Sequence, residues 1–153
     1  MTRKILSKKP EETLALGRRI AARLKPGDIV CLLGQLGSGK TVLTKGIAKG
    51  LGLKDSMVSS PTFTFLNIYE GKTNLYHFDL YRIEKLRELE GLGMEEFLYG
   101  QGICVIEWAE RLGSFLPENY LEVKIHHKNE TTRELVLSTK GTCSDHLLMA
   151  ETK

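Results

Sequence analysis

Two stretches of the chain run apolar without a break, Ile29-Val30-Cys31-Leu32-Leu33 and Ile103-Cys104-Val105-Ile106. A strand covered on both faces has no solvent side to keep polar, so such runs predict central strands. Two other stretches alternate, Leu121-Glu122-Val123-Lys124-Ile125 and Glu134-Leu135-Val136-Leu137-Ser138. Alternation is the period of a half-buried strand, and the pair predicts a C-terminal hairpin. Residues 62–69 and Leu75–Asp79 predict two more strands. The short linker Glu70-Gly71-Lys72-Thr73-Asn74 between them favours antiparallel pairing.

The helical signals sit between these runs. Residues 7–24 read as a helix with Leu14, Ile20, Ala21 and Leu24 on its apolar side. Ser7 is placed to cap it, Pro10 suits its first turn, and Glu11 and Glu12 face the positive end of its dipole. Pro26-Gly27 then turns the chain. A second helix is predicted over residues 40–51, with Val42, Leu43, Ile47 and Leu51 inward and Gly50 and Gly52 at its end. Residues 84–90 and Met94–Leu98 form two short helices separated by Gly91 and Gly93. From Gly141 onward the chain reads as a loose tail in which Leu147-Leu148-Met149 could dock. The pattern is that of an α/β protein with a mixed sheet, helices on its faces and antiparallel hairpins. It implies one domain over residues 1–140 and a tail over 141–153.

Composition narrows the class. Of 153 residues, 41% are hydrophobic and 27% charged, the proportions of a water-soluble globular chain. No apolar run approaches the ~20 residues that span a bilayer. The N-terminus lacks the long apolar stretch of a signal peptide. The expectation is a cytoplasmic protein with no membrane partner. The net charge of +3 is a weak pointer to an acidic partner such as RNA, but Lys and Arg are scattered with no dense block, which fits a mildly basic surface better. Cys31, Cys104 and Cys143 form no CxxC pair. A zinc site or disulfide framework is thus poorly supported, and Cys31 and Cys104 read as small core residues.

The chemistry enters directly after the first apolar run. Gly34-Gln35-Leu36-Gly37-Ser38-Gly39-Lys40-Thr41 matches G-x-x-x-x-G-K-[ST] at every fixed position. A strand precedes the motif and a helix follows it, the context a phosphate-binding loop requires. Glycines let the backbone curl so that its N–H groups converge on phosphate oxygens. The following helix adds its positive end. Lys40 is expected to reach the β- and γ-phosphates, and Thr41 to place its hydroxyl on Mg²⁺. The fold is therefore expected to be P-loop NTPase-like.

Such a loop also needs an acid at a nearby strand end, to serve Mg²⁺ or the attacking water. Asp79 ends one candidate strand and Glu107 another. Glu107 tips the more apolar run and is the better placed of the two. Ser59-Ser60-Pro61-Thr62-Phe63 is a hydroxyl-rich turn in which a Thr could sense the γ-phosphate, or which simply precedes a strand. Trp108 follows Glu107 and is expected to report on the site unless it is a packing anchor. His77 is expected to pack within its strand, and His126-His127 to lie on the surface, since no third ligand at a metal-site spacing joins them. Arg82 reads equally as a stabiliser of transferred phosphate or as a surface ion pair.

Taken in order, Leu33-Gly34-Gln35-Leu36-Gly37-Ser38-Gly39-Lys40-Thr41, Ser60-Pro61-Thr62-Phe63, His77-Phe78-Asp79-Leu80-Tyr81-Arg82 and Ile106-Glu107-Trp108 resemble the bacterial tRNA threonylcarbamoyladenosine biosynthesis ATPase family of the TsaE/YjeE type. The likeness runs from about Ile5 to Ser138. The loop is shared by many proteins, and the other pieces are far more specific. The resemblance implies a weak ATPase that binds a TsaB–TsaD type partner complex and resets it with ATP hydrolysis during N6-threonylcarbamoyladenosine formation at position 37 of tRNA. The tRNA is then served indirectly. It implies ATP and Mg²⁺ as cofactors. Gly37, Ser38, Gly39, Lys40, Thr41 and Val42 would cradle the nucleotide. Thr41 and Glu107 would serve the metal, and Asp79 and Lys40 would join Glu107 in catalysis. Residues 60–63, with Thr62, would form the switch, and the base would lie between the start of the first helix and the hairpin near Arg133. The chain departs from the family pattern at Gln35, where an acid is usual, at Ser38, often Ala, and at Ala109, commonly Pro.

Three other readings share parts of this pattern. A small-molecule P-loop kinase would need a lid over its acceptor, and no Arg-rich lid segment is present. A GTPase would carry N-K-x-D, which is absent. A non-enzymatic module that uses ATP only to gate association would differ from the ATPase in releasing no phosphate.

Overall fold

The computed structural model describes residues 1–35, 37–54, 58, 59, 61, 64–142 and 145–148. In chain order these form β1 (Thr2–Ser7), α1 (Pro10–Ala21), β2 (Ile29–Leu33), α2 (Lys40–Gly50), β3 (Leu66–Tyr69), β4 (Leu75–Asp79), α3 (Leu86–Gly91), α4 (Met94–Leu98), β5 (Ile103–Glu107), a 3₁₀ segment Ala109–Phe115, β6 (Tyr120–His127), β7 (Arg133–Lys140) and a short 3₁₀ turn Asp145–Leu147. The strands make one seven-stranded sheet in the order β1-β7-β6-β2-β5-β4-β3. Strands β6, β2, β5 and β4 run parallel, and β1–β7, β7–β6 and β3–β4 pair antiparallel.

The two unbroken apolar runs are the two inner strands β2 and β5. Every residue of β5 is buried, because helices cover both faces. On one face Val30, Leu32, Val105, Leu121 and Val123 meet Leu16 and Ile20 of α1 and Leu43 and Ile47 of α2. On the other, Cys31, Phe78, Cys104 and Ile106 meet Leu89, Met94, Leu98 and Leu112. Cys31 and Cys104 are thus core residues, as expected. Burial pushes both thiols up in pKa, Cys104 to about 12.

Helices α1 and α2 approach to backbone contact. A Cβ built on Gly17 would lie 2.5 Å from the Leu43 carbonyl oxygen and 2.8 Å from the Gly46 Cα. This closeness sets the N-terminus of α1 beside the N-terminus of α2, where the glycine-rich loop ends.

The N-terminal segment departs from the expectation. Residues 2–7 form an edge strand on β7, with Thr2 opposite Ser138 and Ser7 opposite Arg133. Ser7 is therefore the last residue of a strand and not a helix cap. Its buried hydroxyl donates to the Lys9 carbonyl at 2.9 Å and lies 2.6 Å from Thr13 Oγ1. The helix starts at Pro10 and ends at Ala21, with Leu16 rather than Leu14 fully buried. Strand β3 starts at Leu66, not at residue 62. Phe65 takes a positive φ of 67° and its N–H turns back to the Pro61 carbonyl, while its own carbonyl accepts the Asp79 N–H at 2.9 Å and opens the ladder. Helix α3 starts two residues late, where the Glu88 carboxylate accepts the N–H groups of Glu84 and Lys85.

The tail returns to the body of the protein. Leu147 and Leu148 are buried in the α1–α2 layer, and His146 Nε2 lies 2.8 Å from Asp28 Oδ2 at the foot of β2. Cys143 and Met149 lie outside the described residues. Among the described residues no helix is long and apolar enough to cross a membrane.

Candidate nucleotide-binding site

The loop between β2 and α2 owes its path to its glycines. Gly37 and Gly39 adopt φ of +77° and +111°, which a residue with a Cβ takes only under strain. Gly39 is the residue before Lys40, the first of the helix. The Ser38 N–H closes back on the Gln35 carbonyl at 3.0 Å.

Within this turn Lys40 is almost fully buried. Its Nζ donates to the carbonyls of Gly34 at 2.5 Å and Gln35 at 3.0 Å and sits 4.5 Å from the centre of the Trp108 ring. Burial lowers the pKa of this ammonium below the ordinary lysine value, and the fields of Glu107, Glu110 and Asp79 oppose that shift. An anion arriving at the loop would meet a cation that water barely screens. Thr41 and Val42 follow in the first turn, both half-buried.

The two acids end neighbouring parallel strands. Asp79 of β4 is in register with Glu107 of β5, and Leu32, near the end of β2, is in register with Glu107 from the other side. Both carboxylates are buried. Asp79 Oδ1 accepts the Tyr81 N–H at 2.9 Å. Glu107 Oε2 lies 2.5 Å from His77 Nε2, so His77 engages the adjacent strand rather than merely packing within its own. Trp108, at φ +57°, tilts against Tyr81 with centroids 4.9 Å apart. It sits on the site, over Lys40. Arg82 is exposed beyond Asp79.

Arg133 braces the loop from β7. Its Nε donates to the Ser38 carbonyl at 3.1 Å and an Nη to the Gly37 carbonyl at 3.4 Å. His127 of β6 approaches the same Gly37 oxygen at 3.1 Å. Beside these contacts opens a cavity of about 260 Å³, walled by Lys8, Pro10 and Thr13, by Val42, and by Thr131 and Arg133. This is the side on which the family resemblance would place the base. The walls at Lys8, Thr13 and Thr131 carry no local motif, because they come from distant segments that only the sheet order brings together. Ser60, Thr62 and Phe63, expected to belong to a switch, lie outside the described residues.

The donor set suits ATP with Mg²⁺. Magnesium binds through one or two carboxylates or hydroxyls and completes its shell with phosphate and water. Thr41, Glu107 and Asp79 offer such oxygens around a curled loop with a buried ammonium. Among the described residues no group of three or more His, Cys, Asp or Glu is placed to hold a metal ion.

Comparison with known proteins decides the family. Residues 7–135 match the family described as "Threonylcarbamoyl adenosine biosynthesis protein TsaE". The chain belongs to the TsaE family. The tRNA threonylcarbamoyladenosine biosynthesis protein TsaE of Bacillus subtilis (strain 168) is 44% identical over 133 residues, covering 86% of this chain and 82% of that protein. The protein of the same name from Treponema pallidum (strain Nichols) is 38% identical over 133 residues, covering 87% and 98%. The crystal structure of Bacillus subtilis YdiB superposes with a TM-score of 0.81 at 36% identity, over 96% of this chain and 91% of that one. The mixed sheet and its flanking helices are thus the architecture of a solved relative, and the specific sequence pieces, more than the loop, pointed to the TsaE family.

Proposed function

We propose that this TsaE-family chain is a cytoplasmic Mg²⁺-dependent ATPase of tRNA N6-threonylcarbamoyladenosine formation that binds a TsaB–TsaD type complex and resets it with ATP hydrolysis. One observation carries the reading: a buried lysine closes a glycine-rich turn while two buried carboxylates end the next two parallel strands in the same register. A site that only anchored a phosphate would have no use for two costly buried acids beside it.

Each residue then has a task. Lys40 exchanges its carbonyl partners for phosphate oxygens and neutralises their charge. Thr41 and Glu107 hold the magnesium, whose chemistry is to draw charge from the phosphates. Asp79 supports hydrolysis, held by the Tyr81 N–H. Gly37, Ser38, Gly39 and Val42 line the nucleotide, with Arg133 fixing the loop at the wall of the base cavity, and Thr62 belongs to the switch. A site of this kind is slow until a partner completes it, and a group supplied in trans is worth ~10³–10⁵ in rate.

The test is a capture of the partner pair by this chain with ATP, with ADP or without nucleotide, alongside phosphate release. Capture that depends on the nucleotide, with release rising on partner addition, is expected. Equal capture in all three conditions rejects the switch. Phosphate found on a small-molecule acceptor instead of in solution rejects the ATPase in favour of a kinase.

A further inference from the structure

His77 is buried without residue in the layer that α1 and α2 cover. It is fully enclosed, and among the described residues it is the buried histidine. Its strand neighbours on that face are Leu75 and Asp79, since alternate residues of a strand share a face, and its register partner on β5 is Val105. An imidazole in such surroundings costs stability unless its nitrogens are satisfied. One of them is not: Nδ1 is buried with no hydrogen-bond partner among the described residues. The other, Nε2, lies 2.5 Å from Glu107 Oε2.

These two facts favour one tautomer. A neutral imidazole has one N–H and one bare nitrogen. Nε2 faces a carboxylate oxygen, the natural acceptor, and the pairing gives Nε2 the donor role. A proton on Nδ1 would be a buried unpaired donor, which costs stability. The partnerless nitrogen is tolerable only as the bare one. The whole polar function of His77 is thereby spent on a single bond to Glu107.

The proposed function gives that bond a purpose, and this inference rests on that reading. Glu107 terminates its strand, and two or more rotamers of its side chain would aim the carboxylate differently. With Oε2 tied to a ring that the core holds immobile, Oε1 keeps one orientation. We infer that His77 is the positioning residue for Glu107: its Nε2–H locks the carboxylate in the pose that serves magnesium, so that the metal arriving with its nucleotide meets an ordered ligand. Outer-shell partners of this kind typically alter metal affinity or activity 10–100-fold when removed.

Two variants of the full chain separate positioning from structure. His77→Leu keeps bulk and removes the donor. His77→Gln places an amide N–H near the lost Nε2. Both are compared with wild type for metal-free nucleotide binding, for ATP hydrolysis with the partner pair, and for the Mg²⁺ concentration at half-maximal rate. Metal-free binding is expected to stay within about twofold. In His77→Leu the half-saturating Mg²⁺ is expected to rise about tenfold or kcat to fall by roughly 10–100-fold, with His77→Gln restoring most of the loss. A wild-type kcat and Mg²⁺ dependence in His77→Leu overturns the inference.

A direct readout needs no catalysis. Nitrogen-15 spectra of the wild-type imidazole should show an exchange-protected proton on Nε2 of His77 and none on Nδ1. A proton on Nδ1 overturns the inference even if His77→Leu fails to fold. Should wild type release no phosphate with its partners, the ATPase reading falls. The spectrum, with the order of the Glu107 side chain in a crystal of His77→Gln, still decides whether His77 positions it.

Discussion

Lys40 and Glu107 are both nearly buried, yet their removal should have opposite signatures. Lys40 gives its ammonium to two backbone carbonyls and is otherwise enclosed, so phosphate oxygens would replace partners it already meets in a poorly screened place. Lys40→Ala removes at least one charge-assisted bond worth about 1.5–3 kcal/mol. ATP affinity should fall roughly 10- to 150-fold in a calorimetric titration. An unchanged Kd would exclude Lys40 from phosphate binding. Glu107 lies at a strand tip, in register with Asp79, and touches the nucleotide only through the metal in the proposed arrangement. Glu107→Ala should leave metal-free ATP affinity near wild type and reduce partner-stimulated turnover at least ~10²-fold. Turnover at the wild-type rate would remove it from the machinery. These residues were legible in the sequence because the loop motif and an acid after an apolar run are local patterns. The link from His77 to Glu107 was not legible, because it crosses between strands distant in sequence, and pairing register is invisible in a linear chain.

At the level of elements, the inner strands could be read and the edge strand could not. β2 and β5 are apolar throughout because helices cover both faces. β1, Thr-Arg-Lys-Ile-Leu-Ser, lies at the rim with one neighbour, β7, and exposed charges. Its weak alternation merged with the start of the next helix, and that blurring turned Ser7 into a cap. Helix ends moved for a related reason: the groups that stop or start them, such as the Glu88 carboxylate on Glu84 and Lys85, are side-chain contacts rather than periodic signals. The α1–α2 crossing is the element with the sharpest consequence. At Gly17 a side chain would meet the Leu43 carbonyl and the Gly46 backbone, neither of which can yield as a flexible side chain does. Gly17→Val should therefore destabilise the protein by about 1–3 kcal/mol through overpacking. For a chain of this size that lowers Tm by roughly 2–4 °C per kcal/mol, as thermal unfolding would show. A Tm equal to wild type would mean that the two helices can separate at no cost.

Across the whole molecule, the sheet order assembles the site. β4, β5 and β2 are adjacent and parallel, so Asp79, Glu107 and the loop after Leu33 arrive at one edge although long stretches of chain separate them. The antiparallel strands lie outside this block and supply walls: β7 brings Arg133 to the loop, and α1, following β1, brings Lys8 to Thr13. Trp108 is a built-in reporter of this assembly, since its ring lies over Lys40 and against Tyr81. Adding Mg·ATP should change its fluorescence as Lys40 leaves the ring face. A titration without spectral change would show that the lysine does not move.

The placement of the last described residues has a mechanical meaning. His146 grips Asp28, one step before β2, and Leu147 and Leu148 close the hydrophobic layer there, while the glycine-rich turn crowns the opposite end of the same strand. Resistance to heat and recognition of ATP are anchored at opposite poles of a single five-residue rod. Cutting the chain after Lys140 should therefore lower the melting temperature, by an amount set by two leucines at about 1.5–3 kcal/mol each. The surviving folded molecules should bind nucleotide as tightly as before, which a melting curve and a titration on the same sample would establish.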